Sequence, residues 1–155
     1  MEILVVSDSH GDKASLLRAV RVNKPELILH LGDYDKDCAV LREAFPDIPL
    51  RAVRGNGDWR SFELEEDEFV TAGARIFMTH GHQYSVKRGL DLVVDAAVCR
   101  NADILLFGHT HIPYYATMRG ITILNPGSIG TGSRTYAVLS VEQGAVSCEM
   151  KTIER

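Results

Sequence analysis

A chain of 155 residues, 45% hydrophobic and 25% charged, is long enough to bury ~70% of the surface its unfolded form would expose, so folding requires no staples. No run approaches the ~20 apolar residues of a membrane span, which excludes a helical membrane protein. A formal net charge of -4 and a pI near 5.8 argue against a protein that lives on long polyanions, because phosphate-backbone binding is driven by clustered Lys and Arg.

Met1-Glu2 leads straight into an apolar run, with neither a basic flank nor a small-residue cleavage site, so a cytoplasmic protein is expected. Cys38, Cys99 and Cys148 are odd in number and lack a Cys-x-x-Cys spacing; buried free thiols are the expectation. With no linker, repeat or low-complexity tract, residues 1–155 read as one domain.

Ile3 to Val6 is a continuous β-branched apolar run ending in Ser7-Asp8-Ser9-His10-Gly11, which predicts a buried strand feeding a polar loop. Asp12 can cap a helix in which Leu16, Leu17 and Val20 share a face before Asn23-Lys24-Pro25 stops it. Leu27 to Leu31 is a second buried strand, ending in Gly32-Asp33, and a strand-helix-strand unit of this length implies parallel pairing. A helix is predicted from about Lys36 to Phe45. A short strand follows from Leu50 to Val53, running into Arg54-Gly55-Asn56-Gly57-Asp58.

The acidic stretch Glu63 to Glu68 reads as a solvated loop, and Glu68 to Val70 with Arg75 to Met78 as a hairpin about Ala72-Gly73, delivering Thr79-His80-Gly81-His82. Leu90, Val93, Val94, Ala97 and Val98 recur at helical spacing and predict a helix between Lys87 and Asn101. It leads into the strand Ile104 to Phe107 and Gly108-His109-Thr110-His111. From Tyr114 onward, short runs broken at glycines predict an antiparallel set. The whole is a layered α/β arrangement with polar motifs at the carboxyl ends of successive strands, where open α/β sheets bind ligands.

Those motifs share one chemistry. Imidazole is the commonest metal ligand among side chains, and Asp, Asn and His beside glycines at five strand ends make a joint signal that no single His-x-His carries. In their order, Asp8-Ser9-His10, Gly32-Asp33, Gly55-Asn56-Gly57-Asp58, Gly81 between His80 and His82, and Gly108-His109-Thr110-His111 resemble the calcineurin-like metallophosphoesterase superfamily. With Asn125-Pro126-Gly127-Ser128, the likeness is greatest to its compact phosphodiesterases of the YfcE type.

The resemblance implies a four-layer α/β/β/α sandwich of two mixed β-sheets flanked by helices. It also implies two divalent metal ions, Mn first and Fe, Ni or Zn as further fits. Asp8, His10 and His111 would hold one ion, Asn56, His80 and His109 the other, and Asp33 would bridge them. The implied activity is hydrolysis of small phosphodiesters by a hydroxide bridging the two ions. Gly57 stands where many members carry a histidine that assists the leaving group. The competing reading is a protein-binding scaffold on the same fold, like a retromer subunit, which would be expected to have lost ligands. No stable nucleic-acid or membrane partner is expected, and homo-oligomer formation is left open.

Around the ligands, Asp58 is expected to accept the second N–H of a metal-bound imidazole, and His82 to touch substrate. His30 reads as a packed core histidine, Asp35 and Asp37 as capping or solvated residues, Ser9 and Ser128 as turn-shaping, and Arg134 as solvent-exposed. Trp59 and Tyr84 either wall an aryl or nucleotide group or pack in the core.

Overall fold

The computed structural model describes residues 1–154. Its strands in chain order are β1 (Glu2–Val6), β2 (Leu27–His30), β3 (Leu50–Ala52), β4 (Glu66–Thr71), β5 (Ala74–Thr79), β6 (Ile104–Leu106), β7 (Tyr114–Met118), β8 (Ile121–Asn125), β9 (Thr135–Glu142) and β10 (Ala145–Thr152). The α-helices are α1 (Lys13–Asn23), α2 (Cys38–Ala44) and α3 (Asp91–Cys99). One sheet runs β10-β9-β1-β2-β3 and the other β4-β5-β6-β8-β7.

Successive side chains on a strand point to opposite faces, and both faces of these sheets are covered, so the central strands are apolar without alternation. Ile3, Val5, Leu29, Ile76, Met78 and Leu106 meet between the sheets. Leu4, Val6 and Ile28 face outward onto Leu16, Ala19 and Val20 of α1 and Leu41 of α2. Phe77, Leu105 and Ile123 face outward onto Val93, Val94 and Ala97 of α3. Three cores separate four layers, α/β/β/α. Cutting the fully buried Phe77 back to Ala would cost about 3–5 kcal/mol.

Helix α1 begins where Asp12 accepts the Ser15 N–H at 3.0 Å and ends at Lys24, whose left-handed backbone returns its N–H to the Val20 carbonyl. Strands β1, β2 and β3 are mutually parallel, as are β5, β6 and β8. Their carboxyl ends deliver Ser7–Gly11, Gly32-Asp33, Gly55–Asp58, His80–His82, Gly108–His111 and Asn125–Ser128 into loops.

Several predicted boundaries move. The helix over Lys36–Phe45 begins instead as a 3-10 turn, Asp35–Asp37, before α2. That over Lys87–Asn101 is confined to α3, because a turn closed by the Arg88 N–H on the Ser85 carbonyl precedes it and Asn101 turns left-handed after it. The hairpin strand expected from Glu68 starts two residues earlier, so Glu66 and Asp67 are not loop but strand: paired to β5 at the sheet edge, Asp67 meets Arg51 at 2.8 Å and Glu66 meets Arg100 at 2.5 Å. The C-terminal antiparallel set is divided, β7-β8 completing one sheet and β9-β10 the other. Of the three cysteines, all free, Cys99 is exposed rather than buried.

Candidate metal centre

The loops at the two sets of strand ends are sewn together by backbone bonds. The Asp8 N–H donates to the Gly32 carbonyl at 2.9 Å, the Gly108 N–H to the His80 carbonyl at 3.0 Å, and the His109 N–H crosses between sheets to Asp8 Oδ2 at 3.2 Å. Gly32 sits at φ +98°, and a Cβ there would lie 2.6 Å from Gly55 N, so only glycine lets the β2 and β3 loops touch. Asp8, His10, Asp33, His109 and His111 all adopt positive φ. Such conformations cost on the order of 1–3 kcal/mol each in non-glycine residues and concentrate where side chains must be aimed.

His80 is fully buried, and its Nδ1 lies 2.7 Å from the Leu31 carbonyl, which can only accept. Nδ1 therefore carries the proton, and Nε2 presents a lone pair. That lone pair faces oxygens: Asn56 Oδ1 at 3.1 Å, Asp33 Oδ1 at 3.6 Å and Asp8 Oδ1 at 3.8 Å. Asp8 is itself fixed, with Oδ2 accepting from the Ser7 hydroxyl at 2.5 Å, while Asp33 Oδ1 accepts the Gly57 N–H at 2.9 Å.

On the open side, Asp8 Oδ1 lies 3.1 Å from His111 Nε2 and 4.0 Å from His10 Nε2, and the two imidazole nitrogens are 3.4 Å apart. The Thr131 hydroxyl donates to Ser128 Oγ at 2.8 Å, so it accepts from His111 Nδ1 at 3.3 Å and leaves His111 Nε2 unprotonated. The His109 ring centroid is 5.1 Å from that of His80. Desolvation, aided by His80 and Lys87, lowers the His109 pKa to about 4, so this imidazole is neutral near pH 7.

Two sets of atoms thus converge within 4.8 Å of one another, Asp8-His10-His111 and Asp8-Asp33-His80. Imidazole lone pairs aimed at carboxylate and amide oxygens repel unless a cation lies among them, so the donor set fits divalent metal. Its mixture of oxygen and nitrogen suits Mn, Fe, Ni or Zn better than Mg. Asp8 is the carboxylate common to both sets, and Asp33, expected as the bridge, lies in the second with His80.

Other expectations are redistributed. Asp58 orients backbone rather than a histidine: Oδ1 accepts the N–H groups of Tyr34 at 2.7 Å and Asp35 at 3.3 Å, and Oδ2 that of Gly55 at 2.8 Å, so three loop amides share its charge. His82 lies beside the centre, its ring 5.5 Å from His80, its pKa lowered by burial and by His80. Asp35 and Asp37 are buried, not solvated. Asp35 holds the Ser61 hydroxyl, and Asp37 Oδ2 accepts from Ser9 Oγ and the Gly11 N–H, both at 2.8 Å. Ser128 shapes the turn, accepting the Thr131 N–H, and Arg134 is exposed, as expected. Tyr84 bonds Glu66 at 2.6 Å, and Trp59 is 91% exposed.

Sequence reasoning missed a network behind the ligands. His30 is buried, accepts the Gly32 N–H on Nδ1 at 3.1 Å, and lies 3.0 Å from Ser9 Oγ through Nε2. The order His30 N–H to Ser9, Ser9 O–H to Asp37 gives each bond one donor and ties the Asp8–His10 loop to the Gly32-Asp33 loop. A histidine inside the apolar run Leu27–Leu31 was its one signal, since a buried polar ring requires partners.

Residues 1–144 match the family described as calcineurin-like phosphoesterase superfamily domain. The probable metallophosphoesterase YsnB of Bacillus subtilis is 34% identical over 155 residues, covering 95% of this chain and 88% of that protein. The phosphodiesterase MJ0936 of Methanocaldococcus jannaschii is 24% identical over 163 residues, covering 92% and 95%. Among solved structures, a predicted phosphoesterase from Streptococcus pneumoniae superposes with a TM-score of 0.80 at 28% identity, covering 97% of this chain and 88% of that one. Vps29 from Entamoeba histolytica, solved with zinc, shares the fold with a TM-score of 0.77 at 21% identity, over 98% and 99%. The ligand-rich edge and the match over nearly the whole chain place this protein in the calcineurin-like phosphoesterase superfamily, a family of metal-dependent phosphoester hydrolases.

Proposed function

We propose that this chain is a phosphodiesterase that hydrolyses small phosphodiesters at a two-cation centre. Asp8, His10 and His111 hold one ion and Asn56, His80 and His109 the other, with Asp33 alongside Asp8 as the carboxylates between them. Manganese is the first expectation for both positions. When bound, two such cations supply an acidified water as nucleophile and positive charge for the phosphoryl oxygens.

The observation that carries the reading is the pair of atom sets sharing Asp8, with two imidazoles whose unprotonated Nε2 is fixed by Leu31 and Thr131. Within that frame Asp8 and Asp33 keep their carboxylates oriented through Ser7 and Gly57. Gly57 offers no proton to the leaving oxygen, and His82 is the nearest imidazole outside the ligand set. A scaffold role is less well supported, because all seven ligand positions carry competent side chains gathered at one edge.

Leaving-group dependence tests the reading. General acid help is typically worth ~10²–10⁴-fold, and a nitrophenolate needs little of it. Bis(p-nitrophenyl) phosphate is expected to be cleaved readily and alkyl phosphate monoesters slowly. His82→Ala should steepen the dependence only if His82 supplies a proton. Equal rates on both substrate types in wild type and His82→Ala would contradict the assignment.

A further inference from the structure

The loop after Asn56 spends its aromatic residues on solvent. A tryptophan or phenylalanine typically buries 150–250 Å², roughly, and leaving it in water forfeits that gain. Here Trp59 is 91% exposed and Phe62 entirely so. The loop is not loose, however: the Asp58 carboxylate holds it to Tyr34 and Gly55, and Ser61 bonds Asp35.

Tyr34, Lys36, Gly57, Trp59 and Arg60 line a depression of about 390 Å³ beside the centre. Tyr34 joins it to the ligands, its ring 5.2 Å from that of His10. Gly57 forms the border with Asp33, and even a Cβ there would come within 3.2 Å of Asp33 Oδ1. The Lys36 ammonium lies 4.8 Å from the Tyr34 ring centroid. Neither Lys36 nor Arg60 has an ion-pair partner among the described residues, while the carboxylates nearby, Asp35 and Asp58, are taken up by Ser61 and by backbone N–H groups. What faces outward is therefore two aromatic rings and two unpaired cations, at the edge where the phosphoryl group would sit.

We propose that this depression is the subsite for an aromatic arm of the substrate, of the nucleoside type, with Tyr34 and Trp59 stacking on the ring and Lys36 and Arg60 meeting negative charge carried beside it. The proposal rests on the phosphodiesterase reading for the position of the phosphoryl group. Base stacking on aromatic faces is worth about 1–3 kcal/mol per base and tolerates different bases, a gain that a linear polyol cannot match. Glycine at position 57 leaves the way from the centre to the rings open.

Trp59 is the chain's one tryptophan, so its fluorescence reports on the subsite without any turnover. The metal-loaded protein is titrated with adenosine 5'-monophosphate and, in parallel, with glycerol phosphate. Saturable quenching by the nucleotide alone is expected, with the apparent affinity falling about 3- to 5-fold in Lys36→Ala. In Trp59→Ala, the preference in kcat/KM for a nucleotide diester over glycerophosphodiesters should fall about tenfold or more. No quenching by the nucleotide in protein that hydrolyses phosphodiesters would overturn the subsite and leave the activity standing. Saturable quenching in protein that hydrolyses no phosphodiester with any metal would keep the subsite and overturn the activity. Equal quenching by glycerol phosphate, or emission that follows protein concentration alone, would overturn the subsite in favour of an anion site or of contact between copies.

Discussion

The two halves of the centre are built differently. Around His80 and Asp33, the buried half is held by the main chain: the Leu31 carbonyl fixes the imidazole and the Gly57 N–H the carboxylate. Around His10 and His111, the open half is held by side chains, with Thr131 Oγ1 fixing His111 and, among the described residues, only His111 Nε2 within hydrogen-bond distance of the His10 ring. Backbone groups cannot be lost by substitution and are already desolvated, so the buried half is preorganised and the open half is adjustable. One tight and one weak cation are expected. Asp8 belongs to both.

Asp8→Asn should have the largest effect, because it removes the charge the halves share. Losing several kcal/mol of charge stabilisation corresponds to a fall in kcat/KM on the order of 10³-fold or more. Calorimetry should also find both cations weakened. Two undisturbed sites in this variant would return the shared role to Asp33 alone.

A smaller effect separates the halves. Thr131→Val removes the acceptor behind His111 without touching a ligand, and loss of such a partner typically weakens a metal roughly 10- to 100-fold. Only the weaker cation should be affected, and excess Mn²⁺ should restore activity. Weakening of both cations equally would break the distinction.

How much of this is legible in the sequence depends on how local the physics is. Strand ends, glycines and imidazoles are local, so the gathering of Asp8, Asp33, His80 and His111 at one edge follows from the order of apolar runs. The partners are not local. Asp37 bonds Ser9 and Gly11, 28 and 26 residues away, and nothing in Asp35-Lys36-Asp37 separates a buried network aspartate from a solvated one. Asp58 was expected on a histidine, but the left-handed turn at Tyr34 leaves N–H groups that a nearby carboxylate satisfies first. The first residues of edge strand β4 read as loop because Glu66 and Asp67 pair with Arg100 and Arg51, far in sequence.

The smallest effect is on stability. Burial lowers the His30 pKa from 6.5 to about 4, so between those values the unfolded chain binds a proton that the folded chain does not. Stability is then unaffected by His30 above pH 6.5 and is lost as pH falls from 6.5 toward 4, by about 3 kcal/mol in all. His30→Asn should be less stable at pH 7 by about 1–3 kcal/mol, from the unsatisfied partners, yet flatter across that window in urea titrations. A variant with the same acid slope as wild type would place the sensitivity elsewhere.

The most direct test follows cations and turnover together. The protein is stripped with a chelator, Mn²⁺ is returned in steps, and bound metal and hydrolysis of bis(p-nitrophenyl) phosphate are measured on the same sample. No activity is expected without metal, little with the first cation bound, and full activity as the second site fills. Full activity in the metal-free protein, or with a single equivalent bound, would contradict the two-cation reading.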